Sequence, residues 1–313
     1  MGKIVLGMAS SHAYTFEDPA DWDARRVRTQ TNYKNRYGTM PADVPQVALE
    51  DPQENQVRFG SIRNGLEHLR DHLKALRPDV LIMIGDDQDE NFREDNLPQF
   101  AIYTGGEFIL SDRASKREVT YQCDTELAGQ ILEGCIDRDF DLASSNRMPG
   151  GSLTSHAHTQ PLVFLDIEEE MAVIPVFVNA IHIPAPSPSR CYALGRAIGE
   201  VIALVGDNKR VALYASGGLS HFSAGYPWPH YDGPHTVGSI AVDYDRGLVD
   251  LMKKGSNHRF AELTQKDLID NGEIELRQWI VLLGALGDQT PHHFAYEPFF
   301  RGVMGMAVSC WEP

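Results

Sequence analysis

At 313 residues and a formal net charge of −16, the chain can bury a large core but is too acidic for nucleic acid or an anionic membrane to be its main partner. Apolar and charged fractions of 42% and 23% are ordinary for a globular protein, and no apolar stretch approaches the ~18–20 residues needed to cross a bilayer. The four cysteines, Cys123, Cys135, Cys191 and Cys310, form neither a C-x-x-C motif nor a disulfide framework, which predicts a reduced, cytoplasmic setting.

In chain order, "KIVLGMA" at 3–9 reads as a buried first strand rather than the apolar core of a signal peptide. Residues 17–55 are polar, rich in Pro, Asp, Arg and Tyr, and show little periodicity. That length exceeds a simple connection, so the segment reads as an excursion serving as a lid or an interface. A helix follows, with Phe59, Ile62, Leu66, Leu69, Leu73 and Leu76 at three- and four-residue intervals and Pro78 at its end. "DVLIMIG", "FAIYTG", "MAVIPVFVNAI" (171–181) and "RVALYAS" (210–216) read as strands. Helices are expected over 188–205, 238–254 and 273–286. Alternating strands and helices, without a repeat or a clear linker, predict one α/β domain over 1–313, a central mixed sheet flanked by helices.

Three of these strands end in polar residues. The first runs into "SSHAYTF" with His12, and "RVALYAS" runs into "GGLSHF", where Gly217 and Gly218 allow a tight turn presenting His221. "DVLIMIG" runs into Asp86, Asp87, Gln88, Asp89 and Glu90. Ligands of open α/β sheets bind beyond the carboxyl ends of strands, so the three ends are expected to meet at one pocket. Taken singly, each has a plainer reading: a loop histidine, a glycine turn, an acidic helix cap.

In order along the chain stand "SSHAYTF", "HAHTQPL" (156–162), "PAPSPSRCYALGRAI" (184–198), "SGGLSH" (216–221) and "GEIELRQWIVLLGAL" (272–286). This set resembles the class III extradiol ring-cleavage dioxygenases, in particular the catalytic β subunit of protocatechuate 4,5-dioxygenase. The resemblance implies a non-haem Fe(II) held by two histidines and a glutamate, with positions left open for a catechol-type substrate and O2. It assigns His12 as the first histidine ligand and Glu275 as the glutamate, with Glu273 the weaker candidate. His221 would shuttle a proton beside the substrate, and His156 would stand near its hydroxyls or O2. His158 has no fixed counterpart; it reads as a loop neighbour and is retained as a candidate substrate contact.

Relatives place a histidine ligand in an "N-D-H" segment after the second strand, where this chain has Asp87-Gln88. Either the Gln88 amide oxygen binds the metal, or Asp86 or Asp87 supplies an oxygen, or the site holds no catalytic metal. An oxygen-richer site would suit Mn(II) or another hard divalent ion as well as Fe(II). His68 and His72 have the spacing of a helical metal pair but fall off the apolar stripe, so solvent exposure is expected. "ARRVRTQTNYKNRYG" carries Arg25, Arg26 and Arg36, a local basic patch suited to a substrate carboxylate or to a subunit contact. The aromatic "GYPWPHYDGPH" lies just after His221, as either a ring-binding wall or an ordinary Pro-rich loop. The expected partners are a small aromatic substrate and O2, with a homo-oligomer or a small α-type lid subunit. The rival readings are a metal-dependent hydrolase or lyase working without O2, and a non-catalytic binding scaffold of the same fold.

Overall fold

The apolar runs near residues 3, 80, 172 and 210 become neighbouring strands in the structure, a computed structural model describing residues 1–167, 171–205 and 208–313. In chain order the elements are β1 (Lys3–Ser10), α1 (Trp22–Tyr37), α2 (Pro52–Leu76), β2 (Val80–Gly85), β3 (Phe100–Tyr103), β4 (Glu107–Asp112) and β5 (Arg117–Gln122). Next come α3 (Thr125–Ile136), β6 (Ala143–Ser145), α4 (His156–Leu165), β7 (Ala172–Val178), α5 (Pro188–Val205) and β8 (Arg210–Ser216). The chain then forms α6 (Val242–Lys253), α7 (Gln265–Asp270), α8 (Leu276–Leu286), β9 (His293–Phe299) and β10 (Met304–Trp311).

The main sheet has the order β6-β3-β7-β2-β8-β1-β10-β9. Its centre, β7-β2-β8-β1, is parallel, while β3, β10 and β9 add antiparallel pairs toward the edges. Every residue of β2 is buried, as expected for a parallel strand covered on both faces. The α/β architecture with a mixed central sheet between helices is the one the alternating pattern predicts. One contiguous apolar core fills the sheet faces, and a smaller aromatic cluster around Phe222, Tyr226 and Ile274 lies beside it.

Local chemistry accounts for the element ends. The Asp51 carboxylate accepts from the backbone N–H of Gln53 and Glu54, and Pro52 opens α2, so the helix starts one turn and more before its first apolar residue. Helices α5 and α8 meet backbone to backbone. A Cβ at Gly195 would come within 1.9 Å of Val281 O, and one at Gly284 within 2.1 Å of Tyr192 O.

The excursion at 17–55 holds the sixteen-residue helix α1. Trp22 is its one buried residue, so there is no apolar stripe to read. Its indole packs against Phe59 and Phe299, at centroid distances of 5.1 and 4.9 Å, and ties α1 to the body. The β4–β5 hairpin and the β9–β10 pair lie outside the strands expected from the sequence. Among the described residues no helix is long and apolar enough to cross a membrane.

Candidate active site

Because β1, β2 and β8 are parallel neighbours, their carboxyl ends share one edge of the sheet. His12 follows Ser10 by two residues, Asp86 follows Gly85 directly, and the turn after Ser216 carries His221. Glu275 comes from the other side: it is the residue preceding α8, not a member of the helix. Gly217 lets α8 approach this closely, since a Cβ there would lie 2.6 Å from the Glu275 carbonyl oxygen.

One potential ligand atom each from His12, Asp86 and Glu275 lies within 4.8 Å of the other two. All three residues are buried. His12 Nδ1 is 3.2 Å from Ser216 Oγ and Nε2 is 3.3 Å from Glu275 Oε2. With Nδ1–H donating to Ser216, Nε2 turns its lone pair into the cluster, the tautomer a metal requires. Asp86 Oδ1 and Glu275 Oε2 accept no hydrogen bond. Two buried carboxylate oxygens without donors are costly, and a divalent cation between them and His12 Nε2 would remove that cost. The residues present therefore fit a metal.

The titration of these groups agrees. Burial pushes the His12 pKa down to about 3, against the opposing pull of Glu275, so the ring stays neutral and able to ligate. Burial and then repulsion from Glu275 hold the Asp86 carboxyl well above its usual range. Burial also disfavours ionised Glu275, but the charge of His221 and its hydrogen bond outweigh it and hold that carboxyl low.

Two further histidines face the cluster. His221 Nδ1–H donates to Leu219 O at 2.9 Å, leaving Nε2 3.1 Å from Glu275 Oε1. Burial opposes its charging, yet Glu275, by charge and by hydrogen bond, raises its pKa to about 9. His156 Nδ1 lies 3.0 and 2.9 Å from the two Glu90 oxygens, and its ring stands edge-on to His12 at 4.7 Å. Its pKa is likewise about 9, because Glu90 outweighs the cost of burial. Next to these residues is a cavity of about 170 Å³, walled in addition by Tyr14, Arg25, Thr29 and Met304.

Gln88 does reach the cluster, but with its nitrogen: Nε2 donates to Glu275 Oε1 at 2.7 Å and to Asp86 Oδ2 at 3.1 Å. Of the carboxylates weighed as substitutes for a histidine ligand, Asp86 enters the cluster and Asp87 does not. The Asp87 carboxylate accepts from the backbone N–H of Glu90, Asn91 and Phe92 and so holds the loop in shape. His158 is also outside the cavity; it is fully buried in α4, with Nδ1 2.9 Å from Ser155 Oγ and Nε2 3.1 Å from Val176 O. Glu273 is buried against Asp245, apart from the cluster.

Of the three arginines, Arg25 alone lines the cavity, paired with Glu17 and stacked 4.3 Å over the Tyr14 ring. Arg26 pairs with Asp23, and Arg36 is exposed over Tyr37. His68 and His72 are half-buried rather than fully exposed, and their rings stack with each other and, through His68, with His293. In the Pro-rich loop, Trp228 meets Tyr33 of α1 edge-on at 5.5 Å. Sequence reasoning missed Tyr14, Thr29, Met304 and the Glu90 partner of His156. Tyr14 is two residues after His12, and Glu90 lies in the acidic run, so both had a positional signal; Met304 had none.

The uncharacterized protein JW3007 from Escherichia coli K12 has a solved structure that aligns at a TM-score of 0.49 and 10% identity, over 98% of this chain and 99% of that one. The 2,3-dihydroxyphenylpropionate/2,3-dihydroxicinnamic acid 1,2-dioxygenase of Klebsiella pneumoniae is 30% identical over 56% of this chain and 54% of its own length. The enzyme of the same name from Photorhabdus laumondii is 24% identical over 80% of this chain and 90% of its own. Alignment with the first thus spans about half of that relative's length. The family described as the catalytic LigB subunit of aromatic ring-opening dioxygenase matches residues 40–306, well over half of the sequence, and the chain belongs to that family.

Proposed function

We propose that the protein is a metal-dependent extradiol-type dioxygenase that opens the ring of a catecholic, carboxylate-bearing substrate with O2. The observation that carries this is the meeting of His12, Asp86 and Glu275 at the carboxyl edge of the sheet, with His221 against Glu275. Family membership supports the reaction class, and the relatives are named for 2,3-dihydroxyphenylpropionate, an aromatic diol with a carboxylated side chain.

His12 Nε2, an oxygen of Asp86 and an oxygen of Glu275 would hold the metal. When bound, it would supply Lewis acidity and, as Fe(II), a redox-active centre for O2 chemistry in which the catechol itself is the net reductant. Two carboxylate oxygens against one imidazole also suit Mn(II) or another hard divalent ion. A cation on Glu275 would offset the charge that holds the His221 proton, which frees Nε2 to take a hydroxyl proton and later return it, its ring fixed by the Leu219 carbonyl. His156, anchored through Nδ1 by Glu90, points Nε2 at the reacting oxygens and stabilises negative charge on them. Tyr14, Thr29 and Met304 exclude water from the ring.

The segment 17–55 acts as the lid, since Arg25 and Thr29 of α1 wall the cavity. Four exposed apolar side chains, Val27, Met40, Leu49 and Val57, lie along or just after it and suit a subunit contact, in a homo-oligomer or with a small lid subunit. The whole chain then works as one catalytic domain. Four buried, unpaired cysteines accord with a cytoplasmic setting, and the ring-opening family with a role in aromatic catabolism.

Protein purified without oxygen, assayed for metal content and for O2 uptake on a catechol panel, tests the reading. Substrate-dependent O2 consumption with bound Fe(II) or Mn(II) supports it. Turnover with metal but no O2 uptake replaces it with a hydrolase or lyase, the reading that the oxygen-rich donor set favours. Neither metal nor turnover leaves a binding scaffold, consistent with Gln88 in place of histidine.

A further inference from the structure

Beyond the inner cavity lies a second one of about 240 Å³, bounded by the turn between β4 and β5, by Gln160 of α4 and by Glu90. Arg25 and His156 line both cavities, so these two side chains form the wall between them. The inner space of about 170 Å³ is small beside the ~300–1,000 Å³ usual for ligand sites. It holds an aromatic ring but leaves little room for a side chain.

The charged groups around the outer cavity are not equivalent. Both Glu90 oxygens face His156, and Glu17 pairs with Arg25. Asp112 is buried: Oδ2 accepts from the Ser115 backbone N–H at 2.7 Å and from its hydroxyl, and Oδ1 accepts from Thr159 Oγ1 at 3.0 Å. That last bond ties the β4–β5 turn to α4. Arg113, the next residue on this tethered turn, is exposed, lines the cavity and forms no ion pair among the described residues. The outer cavity therefore presents one guanidinium with its donors free, on a turn whose position is fixed by a buried carboxylate.

We infer that the outer cavity is a subsite for the anionic side chain of the substrate, with Arg113 as the group that selects a carboxylate there. The inference rests on the ring-cleavage reading of the inner cavity. The ring stays beside His221 and Glu275, the side chain passes the Arg25–His156 wall, and its carboxylate takes the fork of Arg113 hydrogen bonds. Such a site prefers aryl alkanoates whose chain spans the wall over bare catechol.

The test uses a probe that needs no turnover. 3-Phenylpropionate lacks hydroxyls, and its methyl ester lacks the charge; binding of both is measured by titration calorimetry. The wild-type protein should favour the acid by about tenfold or more, and this preference should weaken with added salt. Arg113→Ala should bring the acid-to-ester ratio close to one, and Arg113→Lys should keep part of it, with circular dichroism confirming that both variants fold. An intact preference in Arg113→Ala, or none in the wild type, overturns the subsite. Failure of the catalytic reading looks different: the preference persists while no catechol supports O2 uptake.

Discussion

His221 Nε2 lies 3.1 Å from Glu275 Oε1, a contact between residues 54 apart in sequence. The opposite oxygen of the same carboxylate faces His12 Nε2 at 3.3 Å. Glu275 thus divides its two oxygens between a candidate ligand and a candidate proton carrier. The division implies separable roles: replacing His221 with Ala should lower turnover by about 10²–10⁴-fold while metal content stays near the wild-type value. Metal analysis beside steady-state O2 uptake checks it, and metal lost in parallel with activity would make His221 a ligand.

Asp86 is the carboxylate that only the structure singles out. Asp86→Ala should weaken metal binding by about 100-fold or more, beyond the 10–100-fold typical of groups that merely support a ligand. Asp87→Ala should instead loosen the 87–92 loop, with a smaller effect on the metal. Competition with a chelating dye measures both affinities; equal losses would show that Asp86 acts only through the loop.

Gln88 puts an amide nitrogen between two carboxylates, a neutral brace at a position where the family resemblance leads one to expect imidazole. Gln88→His should move metal preference toward Fe(II), Ni(II) and Zn(II) over Mn(II), by about tenfold, because a second imidazole softens the donor set. Paired titrations with Mn(II) and Ni(II) on the variant and the parent read that ratio directly.

His158 should set part of the acid limit of stability. Burial lowers its folded pKa to about 4, from an ordinary value of 6.5. The unfolded chain therefore binds the proton more readily. The stability is complete above about pH 6.5 and is lost as pH falls from there toward 4, by on the order of 3 kcal/mol. Urea unfolding followed by tryptophan fluorescence at a series of pH values should show this slope. His158→Asn should be less stable at pH 7 and flatter between pH 6.5 and 4; an unchanged slope would assign the acid sensitivity elsewhere.

Much of the frame is legible in the order of residues alone. Continuous apolar runs mark the parallel strands because a strand buried on both faces has no polar alternation to hide it. The strand ends point to His12 and His221, the resemblance carried by "HAH" and "EIELRQW" adds His156 and Glu275, and these residues do stand together. Less is visible where position depends on folding rather than on local pattern. Helix α1 has no readable stripe since it buries Trp22 alone, and the β9–β10 pair opens on a strand without a long apolar run.

Sequence by itself determined which strand ends carry reactive side chains, because composition and period are local properties of the chain. Tertiary structure alone decided which oxygen each of those side chains meets. A strand end fixes where a backbone stops, but a carboxylate's direction follows from the hydrogen bonds it finds. Asp87 finds three backbone N–H groups in its own loop and turns away; Asp86, one residue earlier, has an oxygen left with no donor and faces Glu275 and His12.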